Sequence, residues 1–389
     1  MGEVAKVVGG GTPDTNIPEY WGGEIDWYAP AEIGEQIYVT DSKRKITTLG
    51  LQKSSATMLP IGTVLFTSRA GIGNTAILGK ESATNQGFQS IVPHCDKLNS
   101  YFIYSRTHEL KRYGEMVGAG STFVEVSGKQ MANMPLNIPS LSEQTAIGSF
   151  FRSLDNAIHS HQQKLNHLRE LKKGYLQLMF PQDGEAVPKV RFAGFTGDWT
   201  QRKLGEVLEI SSASRVHKGE WTKEGVPFFR SSDVTAIFTG KQNTKAFISY
   251  EHYKSLSVKS GKVKKHDVLA TGGGSIAIPY LVPNDEPLYF KDADLIWMKT
   301  NENLEGQFLY NFFTSPMLRN YVQTISHVGT ISHYIIEQAK DTPITLPSLT
   351  EQTAVGVFFR TLGNQITAQA QKLEQLKQLK AAYLQKMFM

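Results

Sequence analysis

The sequence predicts a mixed α/β protein built twice over, as two globular domains each followed by a long helix, with the two helices paired as a coiled coil. Three observations carry this. Residues 136–180 and 344–388 are one segment written twice, 208 positions apart without insertion or deletion, and about 25 of the 45 positions are identical. A repeat of that period sets the architecture before any local signal does. Apolar residues within each copy recur every 3.5 residues on average, the period of a coiled-coil seam. The stretches ahead of the copies, 1–135 and 204–343, lack a sustained helical pattern and have the length of ordinary domains.

A weaker echo opens each half, where Met1-Gly-Glu-Val4 answers Leu204-Gly-Glu-Val207. Residues Pro188 to Trp199 have no counterpart before Met1, so the first half is expected to start late, as a truncated sequence or a late start codon would make it.

In the first domain (1–135) the β-branched runs Gly62–Thr67, Thr75–Leu78 and Ser90–Val92, bounded by turn residues, predict strands, and Tyr101 to Tyr113 predicts a helix. The long helix of 136–180 follows. Pro139 breaks the preceding chain, Ser140 or Ser142 caps the start, and Glu143 completes a capping box with Ser140. Its seam runs Ile147, Phe151, Leu154, Ile158, His161, Leu165, Leu168, Lys172, Tyr175, Met179.

A linker (181–203) leads to the second domain (204–343), with strands expected at Asp267–Thr271, Ser275–Ile278 and Leu295–Met298 and a helix from Gln307 to Tyr321. The second long helix (344–389) keeps the frame as Val355, Phe359, Leu362, Ile366, Gln369, Leu373, Leu376, Lys380, Tyr383, Met387. Polar residues enter both seams at the same places, His161 with Gln369 and Lys172 with Lys380. Some 38 helical residues make a rod of roughly 55 Å. Two separate amphipathic helices, each on its own domain, are the plainer alternative. The period leaves the polarity of pairing open.

The single cysteine, Cys95, permits no internal disulfide, and no His/Cys cluster accompanies it. His159-Ser-His161 lacks a third ligand nearby. No apolar run approaches membrane length and no signal peptide opens the chain, so a cytoplasmic protein is expected. The net charge of +5 hides near-neutral domains, with 12 basic against 13 acidic residues in 1–135 and 15 against 15 in 204–343. That argues against indiscriminate nucleic-acid binding. Local stripes remain at Lys43-Arg44-Lys45 and at Lys254, Lys259, Lys262, Lys264 and Lys265, with no acid among the latter five.

Enzyme signatures are missing. Thr271-Gly-Gly-Gly-Ser275 has the glycines of a phosphate loop without its lysine. Gly71-Ile-Gly-Asn-Thr-Ala76 fits a loose dinucleotide fingerprint but leads into another strand candidate, where a helix is required. No Asn-Pro-Pro-Tyr type motif of adenine methyltransferases occurs.

The phrase Gly120-Ser-Thr-Phe-Val-Glu-Val-Ser-Gly-Lys-Gln-Met-Ala-Asn-Met-Pro-Leu-Asn-Ile-Pro-Ser-Leu-Ser-Glu-Gln144, its partner from Gly329 to Gln352, and the linker Arg191-Phe192 with Phe195-Thr-Gly-Asp-Trp199 resemble the specificity subunit of type I DNA restriction-modification systems. The resemblance covers essentially the whole chain. It implies two target recognition domains, each reading one half of a bipartite, asymmetric double-stranded DNA site, and helices that pair antiparallel as a spacer about a pseudo-two-fold axis. It implies two copies of a separate adenine methyltransferase subunit docked on the scaffold, with S-adenosylmethionine bound there and no cofactor in this chain. Two motor-nuclease subunits join in that family for cleavage. The chain itself would do no chemistry.

Base reading needs side chains that donate and accept together, presented from loops at strand ends. Candidates are Lys43, Arg44, Thr67, Ser68, Arg69, Asn74, Asn85 and Gln86 in the first domain, with Asn85 and Gln86 equally able to pair loop backbone. In the second they are Arg230, Ser231, Ser232, Lys241, Gln242, Asn243, Thr271 and Ser275, with Lys262, Lys264 and Lys265 on phosphates. Phe150, Arg152, Phe358 and Arg360, at the head of each repeat, are expected to dock the methyltransferase, unless the two phenylalanines pack on their own domains. A coiled-coil interaction scaffold with two ligand-binding domains is the rival reading.

Overall fold

The computed structural model describes residues 1–69, 71–119, 125–326 and 333–388. The chain divides into two compact units, Met1–Gln162 with Gln371–Met389, and Gln163–Ala370.

In the first unit Val64–Phe66 is the central strand. It runs antiparallel to Thr75–Leu78 and to Gln89–Pro93, which in turn pairs with Ala5–Gly9, while Tyr38–Val39 adds parallel to Thr75–Leu78. Its residues alternate as a strand must. Val64 and Phe66 join Ile77, Ile91, Phe102, Leu110 and Phe151 in one core, and Leu65 joins Tyr28, Ala76, Leu78 and Phe88 in another. A three-stranded sheet of Arg44–Ile46, Trp21–Tyr28 and Ala83–Thr84 completes the domain.

The second unit repeats the plan. Val268–Thr271 lies between Leu295–Lys299 and Pro279–Leu281, with Glu209–Ser211 beyond. Val268 and Ala270 pack with Ile296, Met298 and Phe308, whereas Leu269 packs with Phe290, Leu295 and Trp297 on the opposite face. A second sheet takes Trp221–Thr222, Ala246–Ile248, Val226–Phe229 and Tyr289–Phe290 in that order.

Two sequence expectations need correction. Ser275–Ile278 is loop, and the strand begins at Pro279. The loop turns through Ala277, at φ +57°, which no strand residue adopts. The helical stretch of each domain is two helices, Ser100–Ser105 and Thr107–Gly118 in one, Gly306–Thr314 and Pro316–Ser326 in the other. Pro316 has no N–H to continue the first helix and opens the next. In the first unit the break falls at Arg106 without proline. There its guanidinium holds Glu109 at 2.6 Å and the Asn137 carbonyl at 2.7 Å.

The long helices span Leu141–Leu178 and Leu349–Met387. Within the first unit Phe151 stacks on Phe388 at 5.9 Å and Asp155 meets Lys380 at 2.6 Å, so the segments run antiparallel. Within the second, Tyr175 meets Phe358 at 5.1 Å while Ile366 lines a groove with Arg169 and Lys172, the same polarity. Most of the expected seam is buried or half-buried. Met387 instead points out, and Phe388 packs against Phe102 and Phe151 in its stead.

The Glu-Gln pair at each helix start explains the repeat phrase. Gln144 accepts the Asn99 N–H at 3.0 Å and donates to the Lys97 and Pro139 carbonyls, pinning the helix to its domain. Gln352 does the same with the Glu305 N–H and the Asn303 and Pro347 carbonyls. Ser140 caps the first helix by accepting the Glu143 N–H at 3.3 Å, as Ser348 does for Glu351. The Glu351 carboxylate itself takes two bonds from Arg191 of the linker, at 2.7 and 2.8 Å.

Candidate nucleic-acid interface

Each central strand ends in a loop closed by one threonine. The Thr67 hydroxyl donates to the Gly71 carbonyl at 2.6 Å and accepts the Asn74 N–H at 2.9 Å. The Thr271 hydroxyl donates to the Ser275 carbonyl and accepts the Ile278 N–H at 2.9 Å. Both loops leave and rejoin the sheet through the same pair of backbone bonds, Gly73 N–H to Thr67 and Thr67 N–H to Asn74 in one, Ala277 to Thr271 and Thr271 to Ile278 in the other. The positions correspond residue for residue.

This corrects three candidates. Thr67, Ser68 and Thr271 are fully buried and present nothing to a ligand. They build the loops on which Arg69, Asn74 and Ser275 are carried. Asn74 and Ser275 are exposed and Arg69 is half-buried, with the Asn74 amide 3.4 Å from the Ile33 carbonyl. Residue 70, within the first loop, lies outside the described residues. So does the head of each phrase that carries the resemblance, Gly120–Val124 and the stretch 327–332 that contains Gly329.

Asn85 likewise serves the backbone, accepting the Gly87 N–H at 2.7 Å. Gln86 is exposed and accepts from the Thr12 hydroxyl. A side chain on Gly10 would meet the Asn85 carbonyl oxygen at 1.9 Å, so the Gly9-Gly-Gly11 strand end must lie flat on this loop.

Lys43 and Arg44 are exposed. The Arg44 guanidinium lies 3.7 Å over the Trp21 ring, and Trp21 meets Trp27 edge-on at 5.1 Å. An arginine held over an indole can still offer N–H donors to a planar acceptor. The stripe's third member is committed elsewhere, since Lys45 bridges Asp41 at 2.9 Å and the buried Asp26 at 3.4 Å. Burial alone would push the Asp26 carboxyl up, but hydrogen bonds from Lys80 and Ser42 outweigh it and hold the group below the ordinary carboxylate range. Trp21 was not among the sequence candidates. The Trp21/Trp27 spacing beside a basic run was the available signal.

In the second unit Arg230 is not free to read bases. It makes two bonds to Asp233, at 2.7 and 3.0 Å, donates to the Thr244 carbonyl, and its own pKa is raised by that carboxylate. Asn243 donates to the same Asp233 at 2.8 Å and to Ser232 at 3.0 Å, and Ser231 donates to the Asp294 carbonyl at 2.9 Å. This network fixes the turn after helix Ser231–Thr239, which Gly240 ends in the left-handed conformation, φ +70°. Lys241, Gln242 and Lys245 project from that turn around a groove of about 620 Å³ floored by Phe228, Phe229 and Phe247. Basic and amide side chains over an aromatic floor suit nucleobases. The sequence missed Lys245 and the phenylalanines, which read as ordinary strand residues.

Lys262, Lys264 and Lys265 are all exposed, around the buried Val263. Their loop is held through backbone, the Lys264 N–H on Asp267 at 2.9 Å and the Lys265 N–H on Asp285 at 2.8 Å, which leaves the ammonium groups to solvent. Among the docking candidates, Arg152 and Arg360 are exposed and Phe150 keeps 38% of its surface. Phe358 is a packing residue of its own unit, between Tyr175 and Phe192.

Among the described residues no group of His, Cys, Asp and Glu could hold a metal ion, and no helix is long and apolar enough to cross a membrane.

The MjaIX specificity subunit of Methanocaldococcus jannaschii is 31% identical over 240 residues, 59% of this chain and 55% of that protein. The MjaVIII subunit of the same organism is 27% identical over 276 residues, 67% of this chain and 63% of its own length. The chain thus spans less than two thirds of each. Among solved structures, the S subunit of a type I restriction-modification system from M. genitalium aligns with a TM-score of 0.62 at 15% identity, over 100% of this chain and 94% of that one. The family model for the type I restriction modification DNA specificity domain matches residues 1–170 and again 196–378. With two matched domains in tandem, the chain belongs to the type I restriction modification DNA specificity domain family.

Proposed function

We propose that this chain is the non-catalytic specificity subunit of a cytoplasmic type I restriction-modification complex. Each unit reads one half of a bipartite double-stranded DNA site, and the long helices fix the interval between the halves. Two adenine methyltransferase subunits, which bind S-adenosylmethionine, dock on the repeated helix heads, and motor-nuclease subunits join for cleavage.

The observation that carries this reading is the duplicated loop. Thr67 and Thr271 close the same strand-end turn, and each unit also presents an exposed basic side chain at an aromatic surface, Arg44 over Trp21 and Lys241 at the groove lined by Phe229. Two readers of one build with different side chains suit a target of two unlike halves. Near-neutral domains fit a subunit that depends on its partners for much of its hold on phosphate.

The test is co-expression with the neighbouring methyltransferase subunit, followed by long-read mapping of methylated adenines. Paired methyl-adenines in one gapped motif are expected. A stable complex that leaves no such motif would overturn the reading in favour of a protein-interaction scaffold.

A further inference from the structure

Arg169, Lys172 and Lys173 stand within one turn of the helix Leu141–Leu178, so their backbones lie within about 6 Å along its axis. Arg319, from the helix Pro316–Ser326 of the same unit, lines the same groove of about 610 Å³. Leu176 and Ile366 give that groove an apolar wall, and Asn320 and Gln323 add two amides. Among the described residues neither a carboxylate nor an aromatic ring lines it, and none of the four cations makes an ion pair.

Four like charges gathered in one place repel, and a protein ordinarily answers them with acids of its own. The first unit does so. Lys380, the repeat partner of Lys172, has Asp155 at 2.6 Å, Ala381 stands where Lys173 would be, and Glu109 takes the Arg106 guanidinium at 2.6 Å in the groove that Ala381 lines. In the second unit Gly363 replaces the aspartate, and Lys172 is left half-buried with its pKa lowered by burial. A half-buried ammonium without a counter-charge is costly, and an anion from outside relieves that cost.

We propose that this groove of the second unit binds a compact polyphosphate anion, with Lys172 at its base and the exposed Arg169, Lys173 and Arg319 around its mouth. Charge density decides the class. A di- or triphosphate packs several negative charges into a few ångströms, as the four cations are packed into one helical turn. An acidic peptide spreads its carboxylates along an extended chain, at roughly 3.3 Å per residue. Guanidinium forks and ammonium groups are the ordinary ligands of phosphate oxygens, and the amides of Asn320 and Gln323 can donate to those that remain. With no ring to grip a base, the phosphates are recognised and the nucleoside is not. The bound anion ties the helix Pro316–Ser326 to the long helix. The site uses none of the residues assigned to DNA and stands independently of that reading.

Calorimetric titration of inorganic triphosphate into the intact chain, at about 0.15 M salt so that loose association is screened, tests this. Saturable one-to-one binding is expected, weakened about tenfold by Lys172→Met and by Arg319→Gln, the loss of one charge-assisted bond each. Gly363→Asp, which offers Lys172 an acid from within, should weaken it as well. Changing Lys262, Lys264 and Lys265 to glutamine should leave the titration unaltered. Magnesium-free ATP should bind like inorganic triphosphate, and a peptide of consecutive glutamates far more weakly. No saturable binding, binding indifferent to Lys172→Met and Arg319→Gln, or binding lost with the three distant lysines would each overturn the proposal. ATP tenfold tighter than triphosphate would show that a nucleoside is read, and a glutamate peptide as tight as triphosphate would show a protein ligand; either outcome refutes the assignment to polyphosphate. As an independent measure, triphosphate should raise the melting temperature of the chain and Arg319→Gln, at an exposed position, should cancel that gain. An unchanged melting temperature in the parent chain would count equally against it.

Discussion

Lys380 meets Asp155 at 2.6 Å, whereas Lys172, its counterpart 208 positions earlier, has Gly363 at the place of the acid. In the first unit Asp155 is buried and Lys380 half-buried, and the pair is extended by the Tyr101 hydroxyl, which donates to Asp155 at 2.9 Å. Burial first, and then the Asp155 charge, push the Tyr101 phenol well above its ordinary value. Removing Asp155 leaves a half-buried ammonium without its counter-charge and the buried Tyr101 hydroxyl without its acceptor. Asp155→Ala should therefore destabilise the protein by about 3 kcal/mol in urea unfolding. A loss under about 1 kcal/mol, as for a surface pair, would contradict the buried role.

The second unit invites the converse change. Lys172 is half-buried, its pKa lowered by burial, and it makes no ion pair among the described residues. A side chain added at Gly363 meets nothing within 4 Å. Gly363→Asp should thus supply the missing acid and stabilise by about 1 kcal/mol, with helix propensity contributing a part. The gain should shrink in a Lys172→Met background. Equal gains in both backgrounds would show that the introduced carboxylate and Lys172 do not interact.

Thr67 and Thr271 each hold two bonds that no other side chain of their loops makes. Thr67→Ala should cost about 2 kcal/mol, the sum of two ordinary hydrogen bonds, and Thr67→Ser should restore most of it. In a methyltransferase complex the alanine variant is expected to relax one half of the methylated motif and leave the other as it was. Thr271→Ala should do the reverse. Relaxation of both halves by either variant would break the assignment of one unit to one half-site.

Asp26 gives the first unit a dependence on acid. Its folded pKa lies below the ordinary 3.8, so its contribution is complete above about pH 4 and is lost as the pH falls through the folded value. Lys80→Met removes the bond at 2.7 Å that offsets the cost of burial. The acid unfolding midpoint of that variant should move to higher pH, and an unmoved midpoint would mean Ser42 and Lys45 suffice to hold the carboxylate.

Much of this was legible in the chain because it is written twice. The 3.5-residue period located both helices, and Glu-Gln at positions 143–144 and 351–352 marked their starts. What the pair does was not legible. Gln144 and Gln352 act on carbonyls 47 and 49 residues back, and Glu351 waits for an arginine 160 residues upstream. Local pattern carries no information at such distances. The strand expected at Ser275–Ile278 failed for a related reason, because a β-branched run looks the same whether it joins a ladder or bends back on a threonine hydroxyl. Candidate base readers fared unevenly on the same ground. A hydroxyl or guanidinium at a strand end can face solvent or its own backbone, and Thr67, Ser68, Thr271 and Arg230 turned inward.

Lys262, Lys264 and Lys265 turned the other way, and their geometry separates hold from choice. The Lys264 and Lys265 amides are fixed by Asp267 and Asp285, while all three ammonium groups are exposed and unpaired among the described residues. A flexible point charge suits a phosphate, whose position is the same in every sequence. Changing all three to glutamine should weaken the methyltransferase complex on specific and nonspecific DNA by the same factor. It should also lower the slope of log affinity against log salt, by about 0.9 for each phosphate no longer neutralised. Arg44→Ala should behave differently, with a loss concentrated on the specific site, because a guanidinium held 3.7 Å over Trp21 is confined in the directions its N–H donors can take. If the lysine variant changed the preferred sequence, or if Arg44→Ala weakened all sequences alike, the division between the two sets of cations would be wrong.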